Sequence, residues 1–195
     1  MKRKRVGVLI SGRGSNMAAL VEAARDPAYP AEIVCVVSNR PDAAGLEFAR
    51  RQNILTHVID HQRYSIRESF DAALNDYLQS QKLDLIACAG FMRIMTSVLL
   101  ESWAGKMINI HPSLLPLYKG THTHERALAD GVKVHGCSVH YVTDELDGGP
   151  VIAQVEVPVL PGDTPETLSA RVLVEEHKLY PKALAIAAQQ AHPIP

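Results

Sequence analysis

The sequence predicts an α/β fold: a mainly parallel twisted sheet flanked by helices, with antiparallel strands in the C-terminal half. In the first half, short β-branched apolar runs alternate with segments whose apolar residues recur every three or four positions, which is the pattern of strands joined by crossover helices. In the second half, two long β-branched runs are joined by a turn-rich segment, which favours antiparallel or mixed pairing. A chain of 195 residues can form one core of this kind. We therefore expect a single domain, residues 1-195, with a Rossmann-like arrangement.

The individual elements follow from these patterns. Strands are predicted at the β-rich apolar runs Val6–Ile10, Glu32–Val37, Thr56–Ile59, Leu83–Ala89, Met107–Ile110, Val134–Val142 and Val151–Val159. Helices are predicted where one face can be apolar, at Asn16–Arg25, Ala43–Gln52 and Arg67–Gln81. A last helix is predicted to begin at Pro165, capped by Thr164, and to run to about Ala188.

Composition restricts the class of protein. Lys and Arg number 20 against 21 Asp and Glu, so no large field attracts nucleic acid or an anionic membrane, and a small-molecule substrate is favoured. The basic stretch Lys2–Arg5 leads into an apolar run that Gly12 interrupts too early for a signal peptide. Three widely spaced cysteines, Cys35, Cys88 and Cys137, are expected to be reduced thiols buried in strands. These features predict a cytoplasmic enzyme.

A glycine-containing loop follows the first predicted strand. Ser11–Asn16 leads into a helix, so backbone N–H groups and the positive end of the helix dipole could bind an anion there. A dinucleotide fingerprint would have a third glycine where this chain has Met17, and an acidic residue where the second strand ends in Ser38 and Asn39. The pattern favours a single phosphate over NAD. The alternative is a glycine connection that binds no ligand.

Asn109 and His111 form the candidate reactive centre. Strand side chains alternate, so both residues face the same side of the strand that ends here. An amide donor and an imidazole can together stabilise an oxyanion and move a proton near neutral pH. If the carboxylate of Asp147 lies beside the imidazole, it should raise the pKa of His111 above the ordinary value of about 6.5. The plainer alternatives are a structural histidine at position 111 and a solvated acidic turn at position 147.

Four motifs in a fixed order carry a family resemblance: Ser11–Asn16, Ala89–Ile94, Asn109–Pro116 and Asp144–Pro150. From about residue 5 to about residue 182, the chain resembles the folate-dependent formyltransferases. The resemblance implies transfer of a formyl group from 10-formyltetrahydrofolate to the amine of glycinamide ribonucleotide, in purine biosynthesis and without a metal. It leaves the oligomeric state open, a homodimer included.

The resemblance also implies a set of site residues. The residues expected to be catalytic are Asn109, His111 as the proton donor, and Asp147, which raises the pKa of His111. Those expected at glycinamide ribonucleotide and its phosphate are Gly14, Ser15, Asn16 and Glu176. Those expected at the folate are Arg67, Met92, Arg93, Ile94, Met95 and Asn109. Without the resemblance, Arg67 could be a solvated helix charge and Gly90–Met95 could be ordinary core.

Two features depart from the family pattern, namely Arg13, which would add charge near the phosphate, and the loop Leu117–Thr121. The chain also ends at Pro195, earlier than many relatives. Within the formyltransferases, a methionyl-tRNA formyltransferase would carry an additional C-terminal domain and a formyltetrahydrofolate hydrolase an additional N-terminal one. We expect neither in 195 residues.

Other classes of protein are also open. One is a metal-dependent hydrolase built on His122, His124, His135 and His140. Spacing weakens this hypothesis, because the first two side chains would diverge by about 200° on a helix and the last two would face opposite sides of a strand. A non-catalytic nucleotide-binding module is the remaining alternative.

Overall fold

The computed structural model describes residues 2–190, in which seven strands form one sheet. The strands are β1 (Lys4–Ile10), β2 (Ala31–Ser38), β3 (Leu55–Val58), β4 (Leu85–Cys88), β5 (Met107–His111), β6 (Val134–Tyr141) and β7 (Val151–Pro158). Their order is β3-β2-β1-β4-β5-β6-β7. Strands β1 to β5 pair in parallel, whereas β6 is antiparallel to both β5 and β7. The predicted α/β class with antiparallel C-terminal strands is confirmed.

Helices cover both faces of this sheet. They are α1 (Ser15–Ala23), α2 (Ala44–Arg51), α3 (Arg67–Ser80), α4 (Ser97–Ser102), α5 (Thr123–Ala129) and α6 (Pro165–Gln189), with a short 3-10 turn at His61–Arg63. Helices α1, α2 and α6 pack on one face of the sheet, where they form the larger core cluster. Helices α3 and α4 pack on the other face. Within the described residues, no helix combines the length and the apolar character needed to cross a membrane.

Strand β1 shows why the first half of the sequence is so continuously apolar. Val6, Val8 and Ile10 are buried in the core under α1 and α6, whereas Leu9 is buried in the core under α3. Side chains alternate along a strand, so a sheet covered on both faces requires apolar residues at successive positions. Central parallel strands therefore appear in the sequence as unbroken apolar runs.

Helix α6 begins where the sequence predicts. The Thr164 side chain accepts a hydrogen bond from the backbone N–H of Thr167, and Pro165 occupies the first helical position, where its missing N–H costs nothing. The helix runs to Gln189, one residue beyond the predicted end. Its buried side chains, which include Val172 and Tyr180, cover the centre of the sheet.

Some predicted bounds are wrong by a few residues. The predicted strand 83–89 is shorter, and only Leu85–Cys88 forms β4. Leu83 is apolar for a different reason: its Cδ1 lies 2.6 Å from the place where a Cβ on Gly7 would stand, so it fills the space that this glycine leaves.

The two short helices α4 and α5 were not predicted. Both are less than two full turns long, too short to show a helical repeat in the sequence.

Candidate active site

Two clefts open at the carboxyl ends of the parallel strands. The chain moves outward from β1 to β3 on one side and then returns to β4 on the other, and this reversal leaves a crevice above β1 and β4. The glycine-loop cleft, of about 400 Å³, is lined by residues that include Arg13, Gly14, Ser15, Asn16, Met92 and Arg93. The Asp147 cleft, of about 150 Å³, is lined by residues that include Arg93, Ile94, Met95, Asn109, His140 and Asp147. Arg93 lines both clefts, which are therefore neighbours.

The glycine loop has the backbone geometry expected of an anion site. Gly14 has φ 72° and stands directly before α1, in the left-handed region that glycine tolerates best. A Cβ at this position would lie 2.9 Å from Cε of Met17 and 3.0 Å from Cα of Gly45, so there is no room for a side chain. Gly14 is the N-cap residue and has no side chain with which to cap the N–H groups of the first turn of α1. Met17 is buried in the core, which explains why a third glycine is not needed there.

Hydrogen bonds tie the glycine loop to its neighbours. The N–H of Ser11 donates to the carbonyl of Gly90 at 3.1 Å, and the N–H of Met92 donates to Ser11 Oγ at 2.8 Å. Ser11 Oγ in turn donates to Oδ1 of Asn39 at 2.6 Å. The loops that follow β1, β2 and β4 are thus held as one unit.

Asn16 and Glu176 bring α6 to the glycine loop. Asn16 Nδ2 donates to Glu176 Oε2 at 2.6 Å. Burial raises the pKa of Glu176 above its ordinary value, although the hydrogen bond from Asn16 opposes this effect. Asn16 Oδ1 is buried and has no hydrogen-bond partner among the described residues. This pair therefore retains the capacity to accept a donor from a ligand.

Asp147 lies between two buried imidazoles. Its Oδ2 is 3.4 Å from Nδ1 of His111, and its Oδ1 is 3.6 Å from Nε2 of His140. The N–H of Gly120 donates to Oδ2 at 2.8 Å. Burial raises the pKa of Asp147, but the contacts with His140, Gly120 and His111 outweigh it and hold that pKa below its ordinary value. The side chain is therefore a carboxylate, and it is not the solvated turn of the plainer alternative.

The tautomer of His111 follows from its contacts. Its Nε2 lies 2.9 Å from the carbonyl oxygen of Tyr118, which can only accept, so Nε2 carries a proton and Nδ1 faces Asp147. Burial lowers the pKa of His111, and this effect exceeds the opposing influence of the Tyr118 carbonyl and of Asp147. The expectation of a net raised pKa for His111 is therefore wrong. The carboxylate acts in the predicted direction, but the loss of hydration on burial is larger.

The loop Leu117–Thr121, which departs from the family pattern, thus contacts the reactive centre twice. Its Tyr118 carbonyl holds His111, and its Gly120 N–H holds Asp147. Backbone groups make both contacts. Neither contact uses a side chain, but Gly120 has φ 80°, in the left-handed region that favours glycine.

The predicted folate residues fall into three groups. Arg93, Ile94, Met95 and Asn109 line the Asp147 cleft, and the Arg93 guanidinium stands 4.9 Å from the ring centre of Phe70. Met92 lines the glycine-loop cleft instead and is 73% exposed, so this segment is not ordinary core. Arg67 is exposed at the first position of α3 and is not among the residues that line either cleft.

His140 is a site residue that the sequence analysis did not assign. It is 2% exposed, and its Nε2 lies 3.3 Å from Nδ2 of Asn109. The signal was present, because Asn109 and His140 are direct partners in the antiparallel β5–β6 pair. Residues directly opposite in such a pair share a face. Only the register between the two strands was missing.

The remaining histidines of the metal hypothesis are dispersed. His122 is exposed at the start of α5, and the ring of His124 meets that of His135 edge-on at 5.2 Å between centroids. His135 and His140 point to opposite faces of β6, as predicted: one contacts His124 and the other Asn109. Across residues 2–190, no group of three or more His, Cys, Asp or Glu side chains is placed to hold a metal ion.

These features define a class of protein. A buried carboxylate between two imidazoles, beside a glycine loop at the switch point of a parallel sheet, is the arrangement expected of an α/β enzyme that acts on small molecules. The sequence matches the pattern of the formyl transferase family over residues 4–184, and the chain belongs to that family.

Individual relatives agree with this assignment. The phosphoribosylglycinamide formyltransferase of Escherichia coli K12 is 46% identical over 178 residues, which cover 91% of this chain and 84% of that protein. The crystal structure of phosphoribosylglycinamide formyltransferase from Brucella melitensis is 48% identical, with a TM-score of 0.93 and 98% of both chains covered. The human trifunctional purine biosynthetic protein adenosine-3 is 49% identical over 96% of this chain but only 18% of its own length. This chain thus spans less than a fifth of the trifunctional relatives that it matches.

Proposed function

We propose that this chain transfers the formyl group of 10-formyltetrahydrofolate to the amine of glycinamide ribonucleotide, giving formylglycinamide ribonucleotide and tetrahydrofolate. The observation that carries the proposal is the Asp147 carboxylate, 3.4 Å from His111, in a cleft that adjoins the glycine loop. Relatives named for this transfer, at 46 to 48% identity over nearly the whole chain, support the choice of substrate. The continuous sheet and the family match over residues 4–184 support one catalytic domain. We place the reaction in de novo purine biosynthesis.

The glycine-loop cleft is the proposed site of the ribonucleotide phosphate. The N–H groups of Ser15 and Asn16 begin α1, where the helix dipole favours negative charge, and Gly14 lets the phosphate approach the backbone. Glu176 Oε2 already accepts from Asn16. The remaining acceptor capacity of this carboxylate suits the hydroxyl groups of a ribose.

The Asp147 cleft is the proposed site of the folate. Apolar side chains of Ile94 and Met95 give it the walls that a flat pteridine requires, and Arg93 stands at the boundary with the other cleft. Arg67 is exposed at the start of α3, so we assign to it a glutamyl carboxylate that extends out of the cleft. Met92, on the far side of the same segment, faces the ribonucleotide cleft.

The chemistry proposed for this site is acyl transfer through a tetrahedral intermediate. The substrate amine attacks the formyl carbon, a C–N bond forms, and the carbonyl electrons move to oxygen. The amide N–H of Asn109 and protonated His111 stabilise that oxyanion. The oxyanion electrons then re-form the carbonyl and the C–N bond to the folate breaks, so that the folate nitrogen leaves with the bonding electrons and a proton from His111. The proton lost by the attacking amine passes, directly or through water, to His111 and restores its acid form.

Asp147 makes the acid form of His111 attainable. Burial lowers the pKa of His111, and the carboxylate at 3.4 Å from Nδ1 opposes that effect by favouring the imidazolium. The Nε2 proton is bound to the Tyr118 carbonyl. Donation from Nε2 therefore requires that this N–H turn from the loop to the substrate.

The test is a comparison of acceptors. The protein is incubated with 10-formyltetrahydrofolate and, in parallel, with glycinamide ribonucleotide, methionyl-tRNA or water alone, and tetrahydrofolate release is measured. Only glycinamide ribonucleotide should react, and the His111→Ala variant should abolish most of that reaction. Formyl transfer to methionyl-tRNA, or hydrolysis at the same rate without an acceptor, would contradict the proposal. Binding of ligands without turnover would favour a nucleotide-binding module.

The cytoplasm is the proposed location, supported by Cys35, Cys88 and Cys137, which are all free and buried in strands. Cell fractionation with an antibody to the protein would test it. A homodimer stays a prediction, which sedimentation at several protein concentrations would decide. The proposed partners are otherwise the two small-molecule substrates.

A further inference from the structure

His140 is a buried titratable side chain for which the proposed reaction has no direct use. It lies on β6 directly opposite Asn109, is 2% exposed and lines the Asp147 cleft. Its Nε2 is 3.3 Å from Asn109 Nδ2 and 3.6 Å from Asp147 Oδ1. A buried imidazole in contact with two catalytic side chains requires a physical explanation.

The hydrogen bonds of the ring determine what each nitrogen can do. Nδ1 lies 2.9 Å from the backbone oxygen of Tyr141, which can only accept, so Nδ1 carries the proton. In the neutral ring Nε2 is therefore an acceptor, and at 3.6 Å from Asp147 Oδ1 it is too far away for a hydrogen bond with that carboxylate. The neighbour that can donate to it is the amide nitrogen of Asn109, since Asp147 presents only a carboxylate oxygen.

This acceptor distinguishes the two ends of the Asn109 side chain. An amide has a nitrogen that donates twice and an oxygen that only accepts, and the two differ little in size. With Nδ2 against His140, one N–H is bound to Nε2 and the second is available for the cleft. If the amide were reversed, an oxygen would face both Nε2 and the developing negative charge of the intermediate.

We propose that His140 is a positioning residue that sets the amide orientation of Asn109 and thereby presents an N–H donor to the tetrahedral oxyanion. This inference rests on the proposed function, because the oxyanion arises only in acyl transfer. His140 touches neither substrate in this role, and its effect on the oxyanion passes through Asn109. Its contact with Asp147, which helps to hold the pKa of that carboxyl below its ordinary value, is a separate contribution. Asp147 is held separately by the N–H of Gly120, at 2.8 Å.

A double-mutant cycle tests the inference. His140→Phe keeps a ring of similar size and removes the acceptor, whereas His140→Gln retains an acceptor oxygen near the position of Nε2. We expect kcat to fall roughly 10- to 100-fold in His140→Phe, less than the roughly 10²- to 10³-fold effect of removing an oxyanion donor outright, and to recover largely in His140→Gln. In an Asn109→Ala background, His140→Phe should lower kcat by less than about 3-fold, because the residue through which it acts is gone.

If the effects of His140→Phe and Asn109→Ala on kcat were additive, the inference would be overturned, because His140 would then act through Asp147 or through general packing. So would a His140→Gln variant that is folded but as slow as His140→Phe. Folding is checked for each variant by the fluorescence of the single tryptophan, Trp103, which is 3% exposed. Wild-type protein without formyl transfer to glycinamide ribonucleotide would instead refute the proposed function.

A measurement without substrates tests the contact between His140 and Asn109 independently of the proposed function. The side-chain amide resonances of Asn109, assigned by their loss in Asn109→Ala, should move in ¹H–¹⁵N spectra of His140→Phe and stay close to wild type in His140→Gln. His135→Phe is the matched control, because His135 is also buried on β6 but faces the opposite side. Equal shifts in both phenylalanine variants would contradict a contact specific to His140.

Discussion

Substitution of His135 should change how the stability of the protein depends on pH. His135 is 1% exposed on β6, with its ring against His124 and Tyr118. Burial lowers the pKa of His135 from the ordinary 6.5 to about 4, and the neighbouring His124 adds to this, while a hydrogen bond with the backbone of Pro112 opposes it. The folded chain therefore resists a proton that the unfolded chain accepts.

The sign and the size of the effect follow from that difference. Above the ordinary value of 6.5 neither state is protonated at His135, and the folded state is not penalised. As the pH falls towards 4, protonation stabilises only the unfolded state, so the free energy of unfolding decreases. At about 1.4 kcal/mol for each pH unit, the loss reaches about 3 kcal/mol at the lower end of this window.

The assay is unfolding in guanidinium chloride, followed by Trp103 fluorescence, at a series of pH values from about 7 to about 4. His135→Asn keeps a donor near the position of Nδ1 but cannot titrate. Wild type should lose about 3 kcal/mol more than this variant across the range. Val139→Ala, on the same strand, should lower stability at every pH and keep the wild-type slope. Identical slopes for wild type and His135→Asn would refute the reasoning.

Three further predictions concern the reactive centre. His111→Ala should lower kcat by roughly 10²- to 10⁴-fold with an unchanged circular dichroism spectrum; retained activity would remove His111 from the mechanism. Asp147→Asn should lower kcat. It should also move the limb of the pH profile that reports protonated His111 to lower pH, because the carboxylate that raises the pKa of His111 is lost. A limb that does not move would argue against the coupling between Asp147 and His111. Gly149→Ala would place a Cβ 1.9 Å from the carbonyl oxygen of Tyr141, so both activity and thermal stability should fall, and normal values for both would contradict that close approach.

The sheet could be predicted because each of its seven strands has a local signal, an apolar β-branched run between turn residues. The short helices could not, and α4 shows the physical reason. The carboxylate of Asp71 accepts hydrogen bonds from both the backbone N–H and the hydroxyl of Thr96, directly before the helix begins. The group that holds this N-cap residue is 25 residues away along the chain. Thr96 is a common N-cap residue, but the contact that fixes it comes from tertiary structure and cannot be read from the local sequence.

In the candidate site, too, the residues with a local sequence signal could be predicted, and those placed by tertiary structure could not. Asn109 and His111 could be placed together because strand periodicity determines which side chains share a face, and the glycine loop has its own local pattern. His140 required the register between β5 and β6, and Arg67 required the position of α3 relative to the clefts. The family resemblance could assign a role to Arg67. It could not show that this side chain lines neither cleft.

The pKa of His111 is the property that the sequence predicted least well. A carboxylate beside an imidazole was expected to raise its pKa, and Asp147 does act in that direction, yet burial reverses the net result. The same burial makes the charge at Asp147 more effective, because an interaction between charges strengthens as water is excluded. Without this carboxylate, burial alone would keep the imidazole neutral, and a neutral imidazole is too weak an acid to protonate the leaving nitrogen. The need for Asp147 therefore arises from the burial of His111, and Gly149 allows the acidic loop to approach the carbonyl of Tyr141 more closely than a residue with a Cβ could.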